Sequence, residues 1–416
     1  MREMKDSGIE WIGEIPKEWT VKRLKYCVQC LDGRRIPIDA SQRKPGPYPY
    51  WGAGKIMDYI DDYIFDERLI LLGEDGAPFF DPIRPVSHIL NEKAWINNHI
   101  HVLKPNNNIC DTYIVNCLNS VDYHDYIYGA ILNKLTQGNM NNITIPFPAS
   151  QEQQQIADFL DTKCSEIDAT AEDIQKEISL LEDYKKSVIT EAVTKGLNPD
   201  AEMKDSGIEW IGEIPKDWVT IRIGNVFSLR NERNYLPMEQ VQLLSLYSGK
   251  GVFPTGEEGT TNSGNHAQTV ADYKIVKKND IVVNIILAWM GSLGISNYNG
   301  VVSPAYDVYI PNEEKVVPHY YHYVFRTSGI ANECYRYGRG IMMMRWRTYS
   351  SEFKRIHVPF PPLEEQQQIA DFLDSKCSEI DALITDKKRQ LDVLADYKKS
   401  LIYEYVTGKK EVPVNE

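Results

Sequence analysis

QEQQQIADFLDTKCSEID at residues 151–168 returns as EEQQQIADFLDSKCSEID at 364–381, changed only at its first and twelfth letters. From Leu160 apolar side chains recur every seven residues, at Ile167, Ile174, Leu181 and Val188. Four residues after each come Cys164, Ala171, Ile178, Lys185 and Ala192. The second copy places Leu373, Ile380, Lys387, Leu394 and Leu401 against Cys377, Ile384, Leu391 and Lys398. Alternating three-four spacing predicts a long helix with a coiled-coil seam in each copy. Ser150 with Gln153 offers a capping box at the first start, and Pro361–Pro362 precede the second. Gly196 with Pro199, and Gly408 with Pro413, mark the stops.

A second phrase repeats as well. MKDSGIEWIGEIPK occupies 4–17 and recurs unchanged at 203–216, an offset of 199, whereas the helix phrase is offset by 213. The order is phrase, variable block, long helix, then the same three again, with the second block longer by 14 residues. The expected divisions are 1–149, 150–200, 201–362 and 363–416. Each helix leaves an apolar stripe, which the other helix or a second chain can cover. The first option sets the helices antiparallel about a pseudo-two-fold axis.

LILLG (69–73), HIHVLKP (99–105), DIVVNIIL (280–287) and AYDVYIP (305–311) read as strands bounded by Gly, Asn and Pro. Shorter helices are expected near 111–124 and 318–335. The fold class is therefore mixed α/β (α+β), with two globular blocks and two long antiparallel helices in an internal repeat. The blocks share little besides their exits, ITIPFP (143–148) and IHVPFP (356–361).

The net charge of −13 is unevenly spread. Residues 150–200 carry 12 acidic against 5 basic side chains, and 363–416 carry 12 against 8, while 218–362 carry 11 against 15. Acidity sits in the helical segments, so the overall sign does not exclude a nucleic-acid partner. Seven cysteines without framework spacing, and an N-terminus with no apolar run, suggest a cytoplasmic protein. No metal-spaced His/Cys set and no complete phosphate loop stands out, and no catalytic residue is assigned.

YRYGRGIMMMRWRTYSSEFKR at 335–355 is basic and aromatic. Arg336, Arg339, Arg345, Arg347, Lys354 and Arg355 oppose only Glu352, with Trp346 and Tyr349 between them. Arginine forks bond guanine edges or phosphates, and aromatics pack on sugar or base. The plainer reading is a solvated basic loop. In the first block Arg34, Arg35, Arg43 and Lys44 lead into PGPYPYWGAGK (45–55), whose Tyr48 and Tyr50 are further candidates. Lys134, Asn97, Asn98 and Gln137 complete the set.

The chain resembles the specificity subunit of a type I restriction–modification system. The resemblance rests on SGIEWIGEIPKEW-type openings, PFP exits at 146–148 and 359–361, EQQQIADFLD helix starts at 152–161 and 365–374, and LLGEDGAPF (71–79) with NNHIHVLKP (97–105). NIILAWMGSLG (284–294) takes the place of GEDGA in the second block. The family implies two target recognition domains on double-stranded DNA, each reading half of a split site, with the helices as spacer. It implies docking of two modification subunits that bind S-adenosylmethionine and methylate adenine, and of two restriction subunits that use ATP and magnesium. No cofactor and no reaction then belong to this chain. Trp11, Trp19, Trp210 and Trp218 suit such docking, or else pack each phrase on its own block or helix. The alternative reading is a coiled-coil adaptor joining two identical proteins without DNA.

Overall fold

The computed structural model describes residues 2–81, 84–127, 133–247, 251–256, 269–341 and 346–413. Its α-helices, among the described residues, are α1 (Asp111–Leu118), α2 (Gln137–Asn142), α3 (Ser150–Lys195), α4 (Pro318–Val324), α5 (Ser328–Tyr337), α6 (Ser350–Phe353) and α7 (Leu363–Val406). The chain divides into two compact units, Met1–Lys176 with Lys387–Glu416, and Glu177–Asp386. Both long helices contribute to both units.

In the first unit a four-stranded antiparallel sheet carries the block. The strand Ile100–Pro105 lies between Val28–Cys30 and Leu69–Gly73, with Ser87–Leu90 beyond. LILLG is apolar throughout because both of its faces are covered. Ile70 and Leu72 join the large core that includes Ile12, Trp19 and Leu401, while Leu69 and Leu71 join a second core with Phe65 and Ile96. Alternation of side chains across a strand produces this division. A three-stranded sheet, Lys55–Ile60, Pro45–Gly52 and Trp95–Ile96, completes the block.

The second unit repeats the scheme. Tyr306–Pro311 lies between Phe227–Leu229 and Ile281–Asn284, with Leu293–Ile295 beyond. Ile281 and Val283 face the core around Trp218 and Leu373, and Val282 faces a smaller core with Leu244 and Val308. Among the described residues, two two-stranded sheets stand in place of the three-stranded one of the first block.

Entry and exit strands pair antiparallel in each block, Thr20–Arg23 with Thr144–Phe147 and Val219–Arg222 with His357–Phe360. The repeated PFP exits thus pair with the strand that directly follows each repeated phrase, the phrase's own two short strands pair with each other, and the exits deliver the chain to a helix start. Each helix ends at a left-handed glycine, Gly196 (φ 77°) and Gly408 (φ 71°). Gly196 lies against Trp218 and Pro215, and Gly408 against Trp19 and Pro16, so closely that a Cβ would crowd the indole. Only glycine meets both the backbone and the space requirement.

The helices run antiparallel within each unit. In the first, the Phe159 ring packs at a tilt on Tyr405 and Lys398 pairs with Asp168; in the second, Lys185 pairs with Asp381 and Gly196 abuts Glu365. Leu160, Ile174, Ile178, Leu373, Cys377, Ile380 and Ile384 are buried. Cys164, Ile167, Leu181, Leu391 and Leu394 are half-buried, whereas Glu166, Asp173 and Leu180 face solvent. The capping box does not form. Ser150 Oγ donates to Asn108 O at 2.7 Å, and the Gln153 amide is drawn into the block instead.

Candidate nucleic-acid interface

Each block is fixed to its helices by the same contacts. Trp19 Nε1 donates to Glu152 (2.9 Å) and Trp218 Nε1 to Glu365 (2.7 Å). The buried Gln153 accepts from Cys110 N and donates to Pro148 O, while Gln366 accepts from Val317 N and donates to Pro361 O. Tyr113 OH serves the carbonyls of both Pro146 and Val406; in the second unit Tyr321 OH serves Pro359 O and Tyr320 OH serves Val193 O. The repeat offset of 213 relates Pro146 to Pro359 and Val193 to Val406. A buried phenol or amide is costly unless paired, so these bonds select one seating for each block. Glutamine in a polar helix start carries no such signal in sequence.

On these mounts the blocks present different side chains at one topological place. Glu74 follows the strand Leu69–Gly73, and its carbonyl accepts from Leu135 N at 2.7 Å. Ile285 follows Ile281–Asn284, and its carbonyl accepts from Thr348 N at 2.9 Å. Lys134 and Arg347 each stand one residue before these anchors, and just before the short helices α2 and α6 that lead to the exits. Lys134 and Arg347 are exposed.

Their surroundings differ. Lys134 Nζ lies 3.1 Å from Glu74 and 3.7 Å from Asp75. Glu74 also accepts from Arg35 at 2.5 Å. Behind it, buried His101 places its two ring nitrogens on Asp32 (2.6 Å) and Leu135 O (2.8 Å). Burial raises the Asp32 carboxyl, but His101, the Val102 amide and Arg35 outweigh it and hold it below the usual range. Asp32, Glu74 and His101 come close enough to suggest a metal set. Both imidazole nitrogens already face oxygen acceptors and Arg35 supplies the cation, so the cluster is an ion-pair hub.

In the second block Arg347 pairs by backbone with Arg339, N–H to O at 2.9 Å in both directions. Residues opposed in such a pair send their side chains to the same face. Arg339 and Arg355 both reach Glu352, and Arg336 reaches Glu333. Trp346 stacks on Tyr335 and donates Nε1 to its carbonyl at 3.0 Å. Tyr349 is exposed and Lys354 half-exposed. Arg345 lies outside the described residues.

Several sequence expectations change here. Tyr50 is buried under the Arg43 guanidinium, and Arg35 turns inward to Glu74, so neither offers its side chain to a ligand. Arg34 lies over Phe65 and pairs with Glu67, while Tyr48 packs on Tyr63; Lys44 is exposed. Trp19 and Trp218 are each 1% exposed and bonded to their own helix, which removes them as docking surfaces. Trp11 and Trp210 are half-buried. Turn-rich composition in PGPYPYWG concealed a strand that is shielded by its neighbours.

No helix among the described residues is long and apolar enough to cross a membrane. The family model described as type I restriction modification DNA specificity domain matches twice, at residues 16–180 and 215–392. The type I restriction enzyme MjaVIII specificity subunit of Methanocaldococcus jannaschii is 24% identical, covering 96% of this chain and 94% of its own. A further chain of that archaeon, named for the MjaX system, is 26% identical with 96% of each chain covered. A solved chain described under "Structural basis underlying complex assembly and conformational transition of the type I R-M system" shares the fold, with TM-score 0.65 and 13% identity over 95% of this chain and 99% of its own. With two matches that span most of its length, the chain belongs to the type I restriction–modification DNA specificity family, as a specificity subunit.

Proposed function

We propose that each block reads one half of a split double-stranded DNA site, and that the chain directs modification without a reaction of its own. The observation that carries this reading is the correspondence of Lys134 and Arg347, which hold one topological position on closely matching mounts amid different neighbours. Matching mounts and an unchanged repeated phrase suit two copies of one modification subunit. Different neighbours suit two different half-sites. In the first block Lys134 beside Glu74 and Asp75 combines a donor with acceptors, a set that can take phosphate or guanine and also the cytosine amino group. In the second, Arg339, Arg347 and Arg355 with Tyr349 form a donor-rich face suited to guanine and backbone.

The modification subunits would bind S-adenosylmethionine and flip the adenine to be methylated. Restriction subunits, with ATP and magnesium, would cleave DNA lacking that mark. The chain's own part is to hold the two readers on a common helical scaffold. Membership of a DNA specificity family speaks against the adaptor reading.

Binding of the assembled modification complex to duplexes with either half of the site scrambled tests the proposal. Loss of preference on scrambling each half separately is expected. Equal binding to all duplexes would contradict it.

A further inference from the structure

Glu352 stands out among the acidic residues of the second block. Its side chain is 9% exposed, and it spends one oxygen on each of two arginines that are themselves exposed: Oε1 on Arg339 Nη2, and Oε2 on Arg355 Nη1 at 3.1 Å. It lies in α6, three residues after Tyr349 and five after Arg347. Arg339 is tied by its backbone to Arg347, and the Arg355 guanidinium lies 5.4 Å from the Tyr337 ring centre. One carboxylate therefore organises a face made from three separate turns of chain.

We propose that Glu352 is the positioning residue of this face, fixing Arg339 and Arg355 in the orientation that discriminates bases. This rests on the reading of the second block as a DNA reader. A guanidinium has five N–H donors in a rigid fork, and a single bond to Glu352 leaves the far edge for a bidentate contact to a guanine or a phosphate. Free arginine side chains must be ordered when DNA binds; arginines already held lose less freedom, and wrong bases then meet a fork that does not adapt. Burial makes the arrangement mutual, since a side chain drawn away from water loses hydration and needs both guanidinium partners to offset the loss. Arg347, exposed and without an ion-pair partner among the described residues, is left to answer the DNA charge directly.

The first block has a related device at its own reading position. Glu74, 12% exposed, holds Arg35 on one oxygen and Lys134 on the other. There the exposed cation is a lysine, whose rotating ammonium specifies geometry less strictly than a guanidinium. The two clamps arise from different places in their blocks, Glu74 after a central strand and Glu352 on the exit helix. They are separate solutions to one requirement.

Glu352→Gln keeps the shape and removes the charge. A structural role and a positioning role then predict opposite signs on non-cognate DNA. Loss of a negative charge beside an arginine cluster strengthens sequence-independent binding. Loss of positioning weakens discrimination, by about five-fold or more at the second block's half-site, the scale of one mispaired base contact.

The experiment uses the full chain assembled with its modification subunits. The probes are a duplex bearing the motif that the complex methylates, and duplexes with one or the other half scrambled. We expect Glu352→Gln to keep or raise affinity for the scrambled duplexes while lowering discrimination at one half-site only. Equal weakening on every duplex, with a lowered melting temperature, would assign Glu352 to folding and overturn the proposal. Unchanged discrimination in Glu352→Gln, where Arg339→Ala loses it, would overturn the positioning role alone. Unchanged discrimination in Arg339→Ala and Arg355→Ala as well would overturn the DNA reading of this face together with it.

Discussion

Lys185 Nζ reaches both carboxylate oxygens of Asp381, at 2.7 and 2.6 Å, and Lys398 does the same to Asp168 at 2.7 and 2.8 Å. The repeat offset of 213 converts either pair into the other with the helices exchanged. Lysines on an apolar seam lay their stems along it and carry the charge out to the partner helix. Asp381 and Asp168 are well exposed, so each pair contributes little free energy. Its effect is on register, because a slipped pairing sets each lysine beside the wrong residue.

Lys185→Ala should therefore lower stability by less than about 1 kcal/mol. Lys185→Glu should cost more, since like charges then meet across the seam, and adding Asp381→Lys should restore the loss. Chemical denaturation of the four proteins checks this. Equal stability for the single and double reversals would remove the pair from the account of register.

Trp218 fills the junction of phrase, block and helix. Trp218→Ala should cost about 3–5 kcal/mol, the usual scale for deleting a buried aromatic side chain. Trp218→Phe should cost less, chiefly through the unpaired Glu365 carboxylate. Because the indole faces the chain's own helix, Trp218→Phe should still capture the modification subunit in a pull-down. Loss of capture by a protein that remains folded would reinstate this residue as a docking surface.

His322 gives the second unit an acid sensitivity. Burial, with Arg326 and His319 nearby and only partly offset by Asp374, lowers its pKa from 6.5 to about 3. The native chain keeps it neutral while the unfolded chain binds a proton below pH 6.5. Native protein thus binds fewer protons there, and stability falls as pH drops from 6.5 toward 3, approaching about 1.4 kcal/mol per pH unit. His322→Gln should flatten the dependence of melting temperature on pH between about 6 and 4. An unchanged slope would place the acid sensitivity elsewhere.

The helical scaffold was legible in sequence because a seven-residue apolar period has few other physical meanings, and because it occurs twice. LILLG and DIVVNIIL were legible for a similar reason, as runs whose two faces are both covered. What escaped sequence reading is polar burial. Gln153 and Gln366 look like surface residues of a charged helix, yet each is fully enclosed and joins helix to block. Arg35 looked like its neighbour Arg34, and only the fold turns one inward to Glu74 and the other outward to Glu67. The correspondence of Lys134 with Arg347 was hidden because it lies in strand order and backbone bonding, with no shared letters around it.

Lys134→Ala and Arg347→Ala should act on different halves of the recognised site. Each should reduce preference at one half by about 1–3 kcal/mol and leave the other half and complex assembly intact. Competition binding against half-scrambled duplexes measures both. Loss at the same half for both variants would break the assignment of one reader to each block.

The most direct measurement is a base-resolved methylation map of DNA from cells that express the modification subunit with this chain, without it, or with residues 218–362 exchanged for the corresponding block of a relative. The account predicts N6-methyladenine in one split motif only when the chain is present, with one half of that motif replaced in the exchange and the other half retained. Methylation that is independent of the chain, or an exchange that leaves the motif unchanged, would contradict it.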